Sequence, residues 1–264
     1  LFNNNNSEAI AISELPTAYD YIRLGHPLSC VLEWLIAKLN NIKPKNLISF
    51  SSKSIPIFAI LRNNLLVNKN TQIIFEDELP NFIDFEVLKN IYGYKFDLKK
   101  VEKIEDISAF DGSTIFISQK DEILNIDLKS NIDFFINFHS QFGCILLVNG
   151  IKNESYIAEI QHVRRRETIA MTPVNCLDSL NSIINQSTLE NNKNNTESNK
   201  KLVLDSIADI TGTNTKAVVA SSGLSVQYAI MMGLIHDAKE NHKGKSIRFI
   251  VPPNCYGGTN DQAR

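Results

Sequence analysis

Apolar positions along the chain follow two alternating rhythms. In SCVLEWLIAKL (29–39), Val31, Leu32, Leu35, Ile36 and Leu39 recur at three- and four-residue intervals and fall on one face of a helix. A polar spacer, NNIKPKN, leads to the unbroken run LISF, and Ser51, Ser52 and Lys53 come next. TQIIFED predicts the next strand, VLKNIYGYKFDLKKV a further helix and strand, and STIFIS (113–118) another strand. NIDFFINFHSQFGCILLVNG predicts a short amphipathic helix paired with a buried strand, CILLV. Helices alternating with short apolar strands predict an α/β fold whose parallel, or mostly parallel, sheet is covered by helices.

The rhythm is interrupted once. NQSTLENNKNNTESNKK (185–201) is nearly free of apolar residues and cannot bury enough surface to order itself, which predicts a linker or an exposed insertion. Afterwards the order resumes, with LVLDSIADI as a helix, TGTNTK as a spacer, AVVASSG as a strand with its turn, and SIRFIVP as the next strand. Ser51–Ser52 and Ser221–Ser222 stand 170 positions apart, each after an apolar run and before a helix. The echo reads either as duplication of a whole domain or as two βα units that look alike. The resulting plan is a polar tail at 1–16, a first α/β domain at 17–184, a linker at 185–201, and the start of a second such domain at 202–264.

Composition narrows the classes. The 264 residues suffice for one large α/β domain or two smaller ones. Twenty-seven basic against 29 acidic residues give a net charge of −2, which excludes a dominant basic face for nucleic acid. No apolar run reaches membrane-spanning length, and the start lacks the regions of a signal peptide. Four scattered cysteines form no CxxC pair, so neither a zinc site nor a redox motif is indicated, and reduced thiols in a cytoplasmic protein are expected. The chain begins on Leu1 and stops at Arg264 just after a motif, which reads as a fragment of a longer protein.

Candidate chemistry concentrates in AVVASSGLSVQYAI (217–230). Small residues at a helix N-terminus expose backbone N–H groups without intrahelical partners, and the helix dipole adds to their attraction for an anion. Gly223 has no Cβ to block close approach. A phosphate turn and a plain tight turn share this composition. One βα unit later comes VPPNCYGGTNDQAR, where Tyr256 succeeds a predicted strand at the edge on which open α/β sheets bind ligands. That ring could cover a planar heterocycle, or simply cap the sheet. HVRRRE (162–167) is a basic cluster that could contact a phosphate or nucleic acid but reads better as a solvated helix face, and none of the five histidines has metal-ligand spacing.

Taken together, ASSGLSVQYAIMMGL and YGGTND resemble the Cys/Met-metabolism enzymes dependent on pyridoxal phosphate: cystathionine synthases and lyases, methionine γ-lyase and acyl-homoserine sulfhydrylases. The resemblance implies an aspartate-aminotransferase-like fold and pyridoxal 5'-phosphate as cofactor. It places the cofactor phosphate on Ser222, Gly223 and Leu224, with Leu224 in place of the usual methionine, and stacks Tyr256 on the pyridine ring. YIRLGHP (21–27) resembles the family's YxRxGNP segment, so Tyr21 and Arg23 would reach the phosphate of a neighbouring subunit, and His26 replaces an asparagine.

The first copy departs from the pattern. Lys53 stands where the second copy has Gly223, and LPNF (79–82) is read as offering no ring in the place of Tyr-Gly-Gly. Asn149 takes the place of the aspartate that holds the pyridine nitrogen, and no lysine stands around ETIAMTPVN, where the Schiff-base lysine is expected. Lys216 precedes the phosphate turn and is on the wrong side to serve. These losses imply a degenerate first copy that lends Tyr21 and Arg23 to the site of the second, as an intramolecular pseudo-dimer or a homo-oligomer. The expected activity is elimination or replacement at the β or γ carbon of an amino-acid substrate in sulfur metabolism, without nucleic acid or membrane partners. The catalytic residues are unassigned because the chain carries no Ser-x-Thr-Lys segment. The alternatives are a non-catalytic scaffold on this fold and an unrelated phosphate- or nucleotide-binding α/β domain.

Overall fold

Each apolar run that finds a neighbour becomes a strand. The computed structural model describes residues 22–121, 126, 128–187, 196–213 and 215–263. Among them, β1 (Leu47–Phe50), β2 (Thr71–Phe75), β3 (Asp97–Lys100), β4 (Ser113–Ser118), β5 (Phe134–His139) and β6 (Gly143–Val148) form one sheet in the order β1-β6-β5-β4-β2-β3. β2 runs parallel to β3 and β4, and β4 to β5, while β6 lies antiparallel between β5 and β1. Five strands therefore point one way and β6 the other. The fold is α/β with a mostly parallel sheet, as the alternation predicts.

Period-two alternation sorts the strand residues into two cores. On one face Ile48, Phe50, Ile73, Ile115, Phe134, Ile136 and Leu146 pack against α2 (Ile55–Leu66), α3 (Phe85–Asn90) and α4 (Tyr156–Glu167). On the other, Leu47, Ile74, Phe116, Phe135, Ile145 and Leu147 meet α1 (Pro27–Leu39) and α5 (Pro173–Asn185). Burying each such side chain contributes about 1.5–3 kcal/mol, which is why strands buried on both faces read as continuous apolar runs.

FFINFH corrects the expected amphipathic helix. It is β5, joined to β6 by a tight hairpin turn, with Phe134 opposite Val148 and His139 opposite Gly143. Gly143 has φ +108°, and a Cβ there would lie 2.2 Å from the Phe50 carbonyl oxygen, so only glycine lets the hairpin close against the end of β1.

The second half differs from expectation more widely. α6 (Thr196–Thr211) begins inside the stretch expected to be a linker. α7 (Gly223–Asn241) and α8 (Gly257–Ala263) complete the elements among the described residues. AVVAS and SIRFIV, expected as strands, have no ladder partner among the described residues and form none, with Ile250 97% exposed. A strand is a property of a pair, and these two runs lack one. The tail at 1–16 lies outside the described residues.

Candidate functional site

Ser222 adopts the extended geometry of a helix N-cap, and its Oγ accepts the Ser225 amide at 3.2 Å. The amides of Gly223 and Leu224 belong to the first turn, where no intrahelical carbonyl can reach them. A Cβ added to Gly223 meets nothing within 4 Å, so the space beside Gly223 is open.

Tyr256 comes to the same place. A Cβ on Gly258 would lie 2.7 and 2.9 Å from the two Leu224 methyl carbons and 2.9 Å from Tyr256 Cε1. The bare glycine thus seats the Tyr256 ring beside Leu224, and the tyrosine remains 54% exposed. Hydrogen bonds fix α8 against α7: Gln262 Nε2 donates to the Leu224 carbonyl at 3.0 Å, and Gln227 joins Gln262 and Thr259 at 2.9 Å each.

The platform under both helices is α4. Ser225 Oγ donates to the Glu167 carbonyl at 2.5 Å, with the hydroxyls of Ser221 and Ser222 at 3.1 and 2.9 Å from Ser225 Oγ. The buried Glu167 carboxylate accepts both terminal nitrogens of Arg62, and Arg62 Nη2 also donates to Tyr228 OH at 3.1 Å. Burial alone would lower the arginine pKa, but bonding to Glu167 outweighs it and raises the value. Burial raises the pKa of Tyr228, Tyr92 and Tyr94, which surround this pair, so all three phenols are neutral at physiological pH. At the other end of α7, Lys239 Nζ donates to the carbonyls of Asn90 and Ile91 at 3.2 and 2.5 Å.

HVRRRE is a solvated face only in part, with His162 and Arg165 exposed. Arg164 is buried, donating to Glu33 Oε1 at 2.9 Å and to the Ser49 carbonyl at 3.1 Å, and Arg166 pairs with Asp261 of α8 at 3.1 Å. Facing carboxylates on α1 and α8 explain the difference.

Tyr21 lies outside the described residues. Arg23 sits on a 3-10 turn (Ile22–Leu24) that packs on α4, and the next glycine, Gly25 (φ +115°), has its open side 3.7 Å from Arg164 Nη2. Arg164 and Glu167 are one helical turn apart, so Gly25 and the Ser222 turn both approach the last turn of α4. His26 caps α1: its Nδ1 accepts the Ser29 amide at 3.2 Å and its Nε2–H donates to the Met171 carbonyl at 2.7 Å. Burial lowers its pKa, in keeping with the neutral tautomer these bonds require.

The corresponding edge beside Ser51 and Ser52 is filled by side chains. Lys53 Nζ donates to the Ser140 carbonyl at 3.0 Å and lies 5.4 Å from the centre of the Phe82 ring. Phe82 packs edge-on against Phe138, so LPNF does supply a ring, contrary to expectation. Asp121 accepts the Ser140 amide and hydroxyl at 2.8 Å each. Asn149 cannot stand in for a pyridine-binding aspartate. It comes after the antiparallel β6 and so lies at the opposite edge of the sheet, donating to the carbonyls of Ile132 and Lys129 at 2.7 and 3.1 Å.

Among the described residues no group of His, Cys, Asp and Glu could hold a metal ion, and no helix is long and apolar enough to cross a membrane. No family model and no curated protein matches the chain. Solved structures similar to it include metB from Corynebacterium glutamicum, at 14% identity and TM-score 0.42, over 65% of this chain and 54% of that one. Cystathionine gamma-lyase from Lactobacillus plantarum, complexed with L-serine, shares 15% identity at TM-score 0.39, over 66% and 55%. Cystathionine gamma synthase from Xanthomonas oryzae pv. oryzae, in complex with aminoacrylate and cysteine, shares 11% at 0.41, over 65% and 54%. The chain spans about half the length of these structures. At such TM-scores the likeness carries no argument about activity.

Proposed function

We propose that this chain carries the phosphate- and ring-binding elements of a pyridoxal-phosphate-dependent enzyme of sulfur amino-acid metabolism, one that eliminates or replaces groups at a β or γ carbon. The observation that carries the proposal is the meeting of Leu224 and Tyr256 at Gly258, which brings the tyrosine ring next to the Leu224 side chain in the first turn of α7. The residues fit the group. Gly223 and Leu224 amides would take the phosphate oxygens, and the Tyr256 phenol would cover the pyridine ring. When bound, pyridoxal phosphate supplies an electron sink for charge developing on substrate carbons. The chain itself binds and orients: the turn would fix the phosphate, the ring would limit tilt, and Arg23, on the 3-10 turn that packs on α4, would add positive charge. Turnover belongs to a protein that also supplies the Schiff-base lysine, because no Ser-x-Thr-Lys segment occurs here.

Titration with pyridoxal phosphate, read by its visible absorbance and by tyrosine fluorescence quenching, tests this reading. Saturable binding that weakens in Tyr256→Ala supports it. Binding indifferent to Tyr256 and displaced equally by a nucleotide favours a general phosphate-binding domain. No binding overturns both.

A further inference from the structure

The Ser222 turn belongs to the second copy, yet the bonds that shape it come from the first. Ser225 Oγ has one proton, and it goes to the Glu167 carbonyl at 2.5 Å. The oxygen is then left to accept from the hydroxyls of Ser221 and Ser222, at 3.1 and 2.9 Å. Ser222 Oγ in turn accepts the Ser225 amide. All three hydroxyls are consequently engaged with one another or with Glu167, and the amides of Gly223 and Leu224 are first-turn donors that none of these bonds uses.

Glu167 is the last residue of α4, so its carbonyl is one that the helix cannot satisfy internally. Its carboxylate, at the other end of the same residue, is held by both terminal nitrogens of Arg62 from α2. Arg62 also donates to Tyr228 OH at 3.1 Å. Ser225 and Tyr228 are three positions apart and share one face of α7. A single buried residue of the first copy therefore grips α7 at two points one turn apart, directly through its carbonyl and through Arg62 from its carboxylate.

We infer that Glu167, Arg62 and Tyr228 are positioning residues through which the first copy sets the geometry of the phosphate turn in the second. The inference rests on the proposed reading of that turn as a pyridoxal phosphate site. It also gives the degenerate copy a role that does not depend on Tyr21 or Arg23.

The test uses the full chain and three variants: Ser225→Ala, Ser225→Thr and Tyr228→Phe. Hydrogen exchange of the Ser225 and Val226 amides is measured without cofactor, pyridoxal phosphate affinity is titrated, and thermal unfolding is recorded as a control. Ser225→Ala is expected to speed exchange at those two amides and to weaken pyridoxal phosphate about tenfold, the loss of one hydrogen bond's worth of ordering. Ser225→Thr, which keeps the hydroxyl, should restore both. Tyr228→Phe should give a smaller change of the same sign, about threefold, with its melting temperature close to wild type. Wild-type exchange and affinity in Ser225→Ala would overturn the inference while leaving the cofactor reading intact. Faster exchange in a protein that never binds pyridoxal phosphate would uphold the positioning and sink the cofactor reading instead.

Discussion

The two serine pairs begin alike. Ser52 Oγ accepts the Ile55 amide and Ser222 Oγ accepts the Ser225 amide, each three residues on and each at 3.2 Å. The neighbouring side chains separate them. After the first pair, Lys53 reaches across to the Ser140 carbonyl and the Phe82 ring, and the edge closes. After the second, Gly223 leaves open space, and Tyr256 stands near the next residue's side chain, Leu224. The segments that precede them differ as well, since β1 is paired to β6 and AVVAS to nothing among the described residues. A serine hydroxyl accepting an amide three residues on thus accompanies both helix starts. Whether it also makes a binding site depends on the next side chain.

The largest expected contrast lies in backbone protection. Amides of β5 and β6 should exchange at least about a thousandfold more slowly than those of 217–220, because core pairs open only with global unfolding and unpaired segments at almost no cost. Equal rates in the two regions would break the comparison. Next, Gly223→Glu places a carboxylate over the open amides and should weaken pyridoxal phosphate on the order of 100-fold, the worth of one or two charge-assisted bonds. Lys53→Gly, which opens the first turn in the same way, should leave affinity unchanged. A second binding event in Lys53→Gly would show the two turns to be equivalent after all. Tyr256→Ala should cost about tenfold in affinity, near the worth of one aromatic contact, and Phe82→Ala nothing.

The smallest effect separates the edges by pH. Burial would raise the Asp121 carboxyl pKa, but the Ser140 amide and hydroxyl lower it below its ordinary value. A carboxylate held low in the folded state adds stability above its unfolded pKa of about 3.9 and loses it as pH falls through the folded value. Asp121→Asn should therefore be less stable than wild type at pH 7 by well under about 1 kcal/mol, given the exposure of the group, and the gap should narrow as pH falls below the ordinary carboxylate range. A gap that widens in acid would contradict the assigned bonding.

Much of this was legible in the chain. The helical face of 29–39 and the runs LISF, TQIIF and STIFIS carry their own periodicity, and the structure places them as expected. FFINFH misleads because Phe134, Phe135, Ile136 and Phe138 make a dense apolar run, and a strand buried on both faces has no alternation to distinguish it from a helix. AVVAS and SIRFIV have the composition of strands, but pairing is not written in a single segment. The meeting of Tyr256 with Leu224 was implied by the two motifs that carry the family resemblance, ASSGL and YGGTND. The Arg62–Glu167–Tyr228 grip has no local signature, since its members lie 105 and 166 positions from Arg62. Phe82 carries no Tyr-Gly-Gly signature either, because a phenylalanine can fill an edge without the flanking glycines that mark a ligand-facing ring.

A crystal structure of the chain with pyridoxal phosphate tests the central claim most directly. The account predicts the phosphate within hydrogen-bond distance of the Gly223 and Leu224 amides, with the Tyr256 ring parallel to the pyridine. A phosphate bound at Lys53, or a Tyr256 ring turned away from a cofactor held elsewhere, would contradict it.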